Sequence, residues 1–579
     1  MCGIFGYIGG SQASEIVYEG LKRLEYRGYD SYGIATLGDK IQVKKQAGRI
    51  PEGHLGTHAL RGTIAIGHTR WATHGIPDDT NAHPHLDCTG KIAVVHNGII
   101  ENFKALKQEL TGKGHRFHSD TDTEVIAHLL EDVYDGDLLA SVTAVLPRLE
   151  GSYAILVLAE GDPRIITARH RSPLLLGIGD TAMLAGSDMT PILEHTRRMV
   201  VLEDGDVAAL TKQSISVFHD GKEVKRPEEI VAWSFDDVRK GGFKHYMLKE
   251  IYEQPAVFAD AIRALRKEEI PSVIKEAEQV TIVACGTSYY AAMIFRYLVE
   301  EHCHVSARVE LSSEFRYFPP PIQGLVIGIS QSGETADTIR ALQLAARHGC
   351  PTLAVVNVVG SSLSRIADAT LNMRAGPEIS VAATKSFIAE LAVFFQIIDV
   401  MESGSLAQNL DHAHRAIEEA LLLDLSDAVA YCKAGKDLFF VGRGPYFPVA
   451  LEGALKMKEI SYLHAEGYAA GEIKHGPFAL LSHETPVVAI CVPGDTYKVM
   501  TSNIREMKAR GTPLIILGEK GDRDLEEIAD VFIPLPGAGS IAGLLSATVI
   551  FQLLAYHTAD ALGRDIDRPR NLAKSVTVE

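Results

Sequence analysis

The 579-residue chain is poor in cysteine and carries no Cys-x-x-Cys spacing. Seven cysteines are scattered along it: Cys2, Cys88, Cys285, Cys303, Cys350, Cys432 and Cys491. So thin and odd a count argues against a disulfide framework or a zinc knuckle and fits a reducing, cytoplasmic location. The best His/Cys grouping, His83-Pro84-His85 with Cys88, has a proline between ligands and no further ligand at a standard spacing, so no metal is expected. Basic charge is in deficit too, 57 Lys and Arg against 74 Asp and Glu, net −17. Nucleic acid and anionic membrane surfaces are therefore not expected partners. A small anion remains compatible, because backbone N–H groups at a helix N-terminus hold phosphate whatever the global charge. The first residues, Met1-Cys2-Gly3-Ile4-Phe5-Gly6, lack the basic region, apolar run and cleavage site of a secretory leader. Long hydrophobic runs are scarce. Val531–Ala559 is free of Asp, Glu, Lys and Arg, but its apolar centre Ile541–Tyr556 falls short of a bilayer span and contains Ser546, Thr548 and Gln552. A buried helix at a domain or subunit interface is expected there, not a membrane span.

What is present is ordinary globular material: 46% hydrophobic and 23% charged residues, in a length that suggests about four domains at about 150 residues each. To about Leu210 the chain alternates short β-like runs (Thr63–Ile66, Ile92–Val95, Tyr153–Leu158, Ile165–Ala168, Val200–Val201) with helical periodicity at Ser14–Leu24, Phe103–Leu110 and Thr123–Glu131. That mixture predicts an α+β or αββα sandwich. Residues 211–245, charged and broken by Pro and Gly, read as an edge hairpin followed by a linker. Beyond 246, strands alternate with helices, as in Val280–Ala284 then Tyr289–Glu300, and Leu325–Ile329 then Thr335–His348. The alternation repeats: Gly286, Gly333 and Pro351 have counterparts Gly444, Gly494 and Pro513, at offsets of 158, 161 and 162 residues. A fixed period of this size predicts a duplicated α/β lobe with a parallel sheet.

Several constellations carry chemistry. Removal of Met1 would leave Cys2 with a thiol and an α-amine whose pKa, about 7.7–8.0, suits it as a base. Gly67–Gly75 follows a strand and includes Arg70, whose planar fork suits a carboxylate. His96-Asn97-Gly98, read as a strand end, sets a side-chain amide beside a glycine N–H, the two donors an oxyanion hole needs. Asp120–Glu124 opens a helix, either as a plain cap or as carboxylates for a ligand ammonium. Gly328–Thr335, at a strand C-terminus and helix start, offers hydroxyls and N–H groups to a phosphate, without the lysine of a P-loop. Glu452, Lys456 and Glu459 share one face of the helix Pro448–Tyr462, among small and apolar residues. His475 lies in a Gly/Pro-bounded loop, and Lys574 is the one lysine of the C-terminal tail, either a solvated cation or a Schiff-base lysine.

Taken together, Cys2–Gly6, Leu24–Ser31, His96–Gly98, Ser330–Thr335, Lys474–Pro477 and the terminal Leu-Ala-Lys-Ser-Val-Thr-Val-Glu resemble the glutamine–fructose-6-phosphate aminotransferase (isomerizing) family over the whole chain. The resemblance implies an N-terminal αββα glutaminase sandwich followed by two tandem doubly wound parallel-sheet sugar-isomerase (SIS) lobes. Its boundaries would be 2–215 for the amidotransferase domain, 216–245 for a linker, 246–420 and 421–570 for the lobes, and 571–579 for a tail closing the sugar site. The implied substrates are L-glutamine and D-fructose 6-phosphate, the assembly a homodimer, and no organic cofactor is required. By likeness, Cys2 attacks the glutamine carboxamide, Asn97 and Gly98 hold the oxyanion, and Arg27, Arg70, Thr73, His74 and Asp122 bind glutamine. Trp71 gates an internal ammonia passage. Thr287, Ser288, Ser330, Gln331, Ser332, Thr335, Val381 and Ala573 bind the sugar phosphate. His475, supplied in the family by the partner subunit, opens the ring, Lys574 forms an imine, and Glu459 moves a proton with help from Lys456. Two features depart from the family pattern: Ala383 stands where many relatives have Ser, and the linker is short. Asparagine synthetase and amidophosphoribosyltransferase share the N-terminal Cys domain, but neither pattern continues into the C-terminal half. A non-catalytic sugar-phosphate sensor is disfavoured by the presence of Lys574, Glu459 and His475 together.

Overall fold

A computed structural model of the chain describes residues 2–51, 60–72, 74–231, 233, 237, 239–264, 270–402 and 406–576. It divides into two units, Met1–Val238 with Ala573–Glu579, and Arg239–Leu572.

The first unit is built on two antiparallel sheets. Eight strands run in the order Glu228–Ile230, Arg198–Val201, Leu175–Ile178, Met183–Gly186, Gly3–Ile8, Ile64–Arg70, Ser31–Leu37, Ile41–Ala47. Seven run in the order Lys222–Val224, Ile215–His219, Asp206–Leu210, Asp162–His170, Gly151–Ala159, Ile92–Ile100, His85–Leu86. Strand alternation assigns each face. Ile4 and Ile8 point into a core shared with Ala93, Val95, Leu156 and Leu176. Phe5, on the opposite face, lies under the helix Ala13–Leu24, where Gly20 leaves room for its ring. On the second sheet Ile92 and Val94 turn outward onto Val125, Leu129 and Val142 of the helices Glu124–Val133 and Leu138–Val145. Both central strands are thus covered on both faces, which is the helix–sheet–sheet–helix arrangement. The sheets continue further than expected. Ile215–His219 and Lys222–Val224 form the edge hairpin, and Glu228–Ile230 pairs with Arg198–Val200, so residues 215–230 belong to this unit's strands and the connector is shorter than 216–245.

The second unit holds two parallel five-stranded sheets of one topology. The first runs Ser306–Leu311, Gln279–Ala284, Leu325–Ser330, Thr352–Val356, Ala369–Asn372. The second runs His464–Ala469, Asp437–Gly442, Val487–Ile490, Leu514–Gly518, Val531–Pro534. The strand pairs beginning at Gln279 and Asp437, Leu325 and Val487, and Thr352 and Leu514 are 158 or 162 residues apart, so the repeat seen in sequence is a structural one. In each sheet the first strand in the chain sits between the second and the third. The strand order reverses there, and open α/β sheets bind ligands at that crevice.

The uncharged segment becomes the helix Ile541–Ala561, 83% of whose apolar window is buried within the chain. It packs against the helices Tyr446–Ser461, Ala407–Ala420 and Tyr246–Ala264. Three of its polar side chains are satisfied internally: the Ser546 hydroxyl donates to the Pro536 carbonyl at 2.5 Å, Thr548 donates to Leu544 at 2.9 Å, and Gln552 accepts from Gln254 at 2.8 Å. The closest seat is Gly453, where a Cβ would fall 2.3 Å from the Phe551 ring. Gly453→Val should therefore overpack this core, costing about 1–3 kcal/mol and lowering the thermal midpoint. An unchanged midpoint by calorimetry would show that the seat yields.

Candidate functional site

The first site forms where the strands Gly3–Ile8, Ile64–Arg70 and Ile92–Ile100 meet. Cys2 precedes the first of these, and its Sγ accepts the Trp71 N–H at 3.2 Å. Burial pushes the thiol up, while the Trp71 N–H and Arg70 pull it down. The Asn97 side-chain amide donates to the Cys2 carbonyl at 3.0 Å, so this donor already lies against the nucleophile's own residue. Gly98 has φ +127°, and a Cβ there would lie 2.0 Å from the Ser152 carbonyl, so only glycine lets the two strands close at this point. The strand does not end at Val95 as expected. It runs to Ile100, so His96, Asn97 and Gly98 are strand residues paired with Ile155, Ala154 and Tyr153. Likewise His68, Thr69 and Arg70 belong to a strand rather than to a loop after one.

Cys2, Arg70, Trp71, His74, Gly98 and Asp122 line one cavity. Arg70 is buried and donates to the carbonyls of His74, Gly75 (3.0 Å) and Ile76 (3.3 Å), which shapes the loop over the site. Asp122 accepts the Ile100 N–H at 2.8 Å, and Glu124 accepts the N–H groups of His118 and Ser119 at 2.8 and 2.7 Å. The acidic run is therefore tied to its surroundings rather than capping its own helix; Thr123, at the N-cap position, makes no side-chain cap bond. Trp71 is half-buried and meets Tyr29 edge-on at 5.6 Å, while Asp30 accepts the Ala72 N–H at 2.8 Å. Arg27 is placed differently from the expectation: its guanidinium is paired with Asp188 at 2.8 Å and is not among the cavity's lining groups. Thr73 lies outside the described residues.

Along the cavity wall and beyond it runs a row of buried imidazoles, of which His83 and His96 line the cavity, that motif reading did not assign a role. His68 donates to the His96 carbonyl at 2.9 Å, His83 and His96 share the Thr123 hydroxyl at 2.8 and 2.9 Å, and His85 meets the Thr121 hydroxyl at 3.0 Å. Burial holds all four below the usual histidine range, His68 at about 3, so they act as neutral hydrogen-bonding spacers. Their signal in sequence was the density of His near two strand ends. What it lacked was the threonine partners from the 121–123 turn.

The second site lies at the crevice of the first SIS-type sheet. Ser330 ends a central strand, and its hydroxyl is bonded to Thr335 at 2.8 Å and accepts the Gly333 N–H at 3.0 Å. Ser332 accepts the Glu334 N–H at 3.2 Å, and the Gln331 carbonyl accepts from Asn357 at 3.1 Å. Gly333 takes φ +65° against Ser361, where a Cβ would come within 2.1 Å of the hydroxyl. The loop is thus folded tightly onto the N-terminus of the helix Ala336–Arg347, where hydroxyls and the first-turn N–H groups favour a dianion. From the neighbouring strand end come Thr287 and Ser288, at the start of the helix Gly286–Cys303. Ser288 donates to Glu390 at 2.7 Å, and Thr287 donates to Glu452 at 3.3 Å and accepts from Lys456 at 3.1 Å. Thr287 therefore joins the first lobe to the charged face of the helix Tyr446–Ser461 in the second.

That face is buried, so it is not a solvated stripe. Lys456 is fully enclosed, 3.5 Å from Glu452 and in contact with Glu459. Burial disfavours its charge, but the two carboxylates outweigh that, and its pKa stands above the usual lysine value. Burial pushes Glu452 up to about 8, helped by the neighbouring Glu459 charge and opposed by Lys456. Val381 is buried and donates its N–H to the Asp567 carbonyl at 3.1 Å, in a loop ordered by Glu378, which accepts from Thr384 and Ser386 at 2.9 and 3.0 Å. His475 is exposed on the 3₁₀ turn Ile473–His475 and, among the described residues, has no hydrogen bond or ion pair to Thr287, Lys456 or Glu459. Ala573 and Lys574 group with the first unit.

Known proteins share both halves. The glutamine amidotransferase domain family matches residues 68–194, and the SIS domain family matches twice, at 273–399 and 432–559. The glutamine–fructose-6-phosphate aminotransferase (isomerizing) of Thermococcus kodakarensis is 47% identical, with 100% of each chain covered. The protein of the same name from Thermotoga maritima is 45% identical, again over 100% of each. Among solved structures, the C-terminal domain of glucosamine-fructose-6-phosphate aminotransferase from Francisella tularensis is 37% identical, covers 57% of this chain and 100% of its own, and superposes with a TM-score of 0.53. Matched from end to end by such relatives, and carrying both kinds of domain in the same order, the chain belongs to the glutamine–fructose-6-phosphate aminotransferase (isomerizing) family.

Proposed function

We propose that the chain transfers the amide nitrogen of L-glutamine to D-fructose 6-phosphate, yielding L-glutamate and D-glucosamine 6-phosphate. One observation carries the reading. A single chain holds a thiol at residue 2 beside Asn97 and Arg70, and also a buried Lys456–Glu452–Glu459 cluster bridged by Thr287 across two SIS lobes.

In the first half-reaction the α-amine of Cys2, freed by loss of Met1, takes the thiol proton, and sulfur attacks the carboxamide carbon. The Asn97 amide and the Gly98 N–H receive the oxyanion. Collapse breaks the C–N bond, releases ammonia and leaves a thioester, which water cleaves to glutamate. The Arg70 guanidinium and the Asp122 carboxylate, both on the cavity wall, suit the α-carboxylate and α-ammonium of glutamine. His74 borders the same cavity, and Trp71 is assigned as the gate for ammonia. Arg27, bound to Asp188, serves by fixing the turn before Tyr29 and Asp30 rather than by touching glutamine.

In the second half-reaction Ser330, Gln331, Ser332 and Thr335 hold the phosphate at the helix N-terminus, with Thr287, Ser288, Val381 and Ala573 around the sugar. His475 opens the ring, and Lys574 condenses with the C2 ketone, releasing water. Ammonia displaces the lysine, giving the C2 imine. Glu459 then takes a proton from C1 and returns one to C2, leaving the C1 aldehyde of the amino sugar. Lys456, held as an ammonium by its two carboxylates, serves as the fixed positive charge beside the developing enolamine oxygen, not as a base. The exposure of His475 in one chain supports a homodimer in which a second copy supplies it, and seven free cysteines support a cytoplasmic location.

Cys2→Ala should lower glutamine-dependent output by more than about 10³-fold while leaving synthesis from high ammonium measurable; retained glutamine use would remove the thiol from the mechanism. Lys574→Ala should cut amino-sugar formation more than about 100-fold yet leave glutamate release within a few-fold, and undiminished amino sugar would refute the imine. A third expectation concerns pH. Glu452 binds its proton up to about 8 in the folded chain but only to about 4.3 unfolded. Between those values the folded state holds the extra proton, so this group's contribution to stability is lost as pH rises toward 8. Glu452→Gln should flatten the fall of the thermal midpoint across that window, and parallel profiles for variant and wild type would contradict it.

A further inference from the structure

One cluster in the first unit is unused by this chemistry. Cys88 lies in the turn after the strand His85–Leu86, His115 follows the helix Phe103–Gly112, and His128 and Glu131 are on the helix Glu124–Val133. One ligand atom from each of the four lies within 4.8 Å of all the others. Cys88 Sγ is 3.6 Å from His115 Nδ1 and 3.5 Å from His128 Nδ1. Glu131 Oε2 is 3.0 Å from His115 Nδ1 and 3.2 Å from His128 Nδ1. A tetrahedral zinc ion with bonds of about 2.0–2.1 Å to nitrogen and oxygen and about 2.3 Å to sulfur would separate its ligands by about 3.3 Å for N–O pairs and about 3.6 Å for S–N pairs. The four contacts match that pattern closely.

The proton arrangement points the same way. The far nitrogen of His115 faces Asp132 at 2.8 Å, and that of His128 faces Glu124 at 3.6 Å. A carboxylate only accepts, so each imidazole is expected to carry its proton on Nε2. The two Nδ1 atoms then present lone pairs to a centre that also receives a carboxylate oxygen and a sulfur. A divalent cation at that centre would satisfy all four donors at once. The sulfur accepts the Arg116 N–H at 3.4 Å, as a metal-bound thiolate does. Carboxylates behind ligating histidines are the usual outer partners of such ions.

We propose that Cys88, His115, His128 and Glu131 form a structural site for a divalent transition-metal ion, with zinc the best fit to a tetrahedral set of one sulfur, two imidazoles and one carboxylate. Four protein ligands leave no open position, so the ion is a clip and not a catalyst. It ties the Cys88 turn to the segment before Ser119 and to the helix that begins after Thr121, Asp122 and Thr123. The first and last of these bond His85, His83 and His96, and Asp122 lines the glutamine cavity. Motif reading missed the site because Cys88 was grouped with His83 and His85, whose rings turn to threonines, while His115 and His128 come from 27 and 40 residues further on.

The test uses the full chain, stripped of metal with chelator and titrated with zinc alone. About one equivalent should bind and raise the thermal midpoint by several degrees. Cobalt in its place should give tetrahedral visible bands and a thiolate charge-transfer band that Cys88→Ser abolishes. Cys88→Ser, on an exposed turn, and His128→Ala should each weaken zinc binding more than about 100-fold and raise the KM for glutamine. Should His128→Ala fail to fold, Cys88→Ser alone decides. Zinc binding unaffected by Cys88→Ser would overturn the proposal. So would a thermal midpoint that does not respond to zinc.

Discussion

Lys456 has no route to water, and the second unit is arranged around that fact. An ammonium buried at the centre of an α/β protein is tolerable only with its counter-charges fixed in place. Glu452 and Glu459 set their carboxyl groups against it from one and the same helix, one turn before it and almost one turn after. Thr287 completes the set from the other lobe. Removing one member of such a buried set typically costs about 3–5 kcal/mol, because the remaining charge is stranded. The duplication that produced two similar sheets has therefore been broken chemically. The first lobe keeps the hydroxyl-rich phosphate loop at its crevice, and the second lends a helix whose charges are useful only where the first lobe meets it.

The first unit handles buried polarity by the opposite means. His68, His83, His85 and His96 are kept neutral by burial and are spaced by threonine hydroxyls. Neutral imidazoles can sit on strands in the middle of a sandwich at small electrostatic cost, which is why the strands carrying His96, Asn97 and Gly98 continue to Ile100 instead of fraying into a loop. Rigid strands place the Asn97 amide against Cys2 more tightly than a loop would, as oxyanion stabilisation demands.

Much of this was legible in the residues. The sandwich, the repeated lobe, the phosphate loop and the thiol at position 2 follow from periodicity, offsets near 160 residues and donor chemistry. The uncharged segment also settled as a buried helix, because Ser546, Thr548 and Gln552 find partners inside the chain. What escaped depended on contacts between distant segments. No local pattern separates Glu452, enclosed with Lys456, from the partly exposed Glu459 on the same face. Arg27 lies in the run Leu24–Ser31, yet its partner, Asp188, is 161 residues away. Strand ends were misjudged at Val95 and before His68 because polar residues usually mark them, and here the polar residues are bonded sideways to neighbouring elements.

The central claim is that one chain moves nitrogen from glutamine's amide to the sugar's C2. Glutamine labelled with nitrogen-15 at the amide, supplied with fructose 6-phosphate in a large excess of unlabelled ammonium, tests it directly. The amino sugar should carry the label undiluted by the ammonium in solution. Amino sugar bearing only unlabelled nitrogen, while glutamate accumulates, would contradict it.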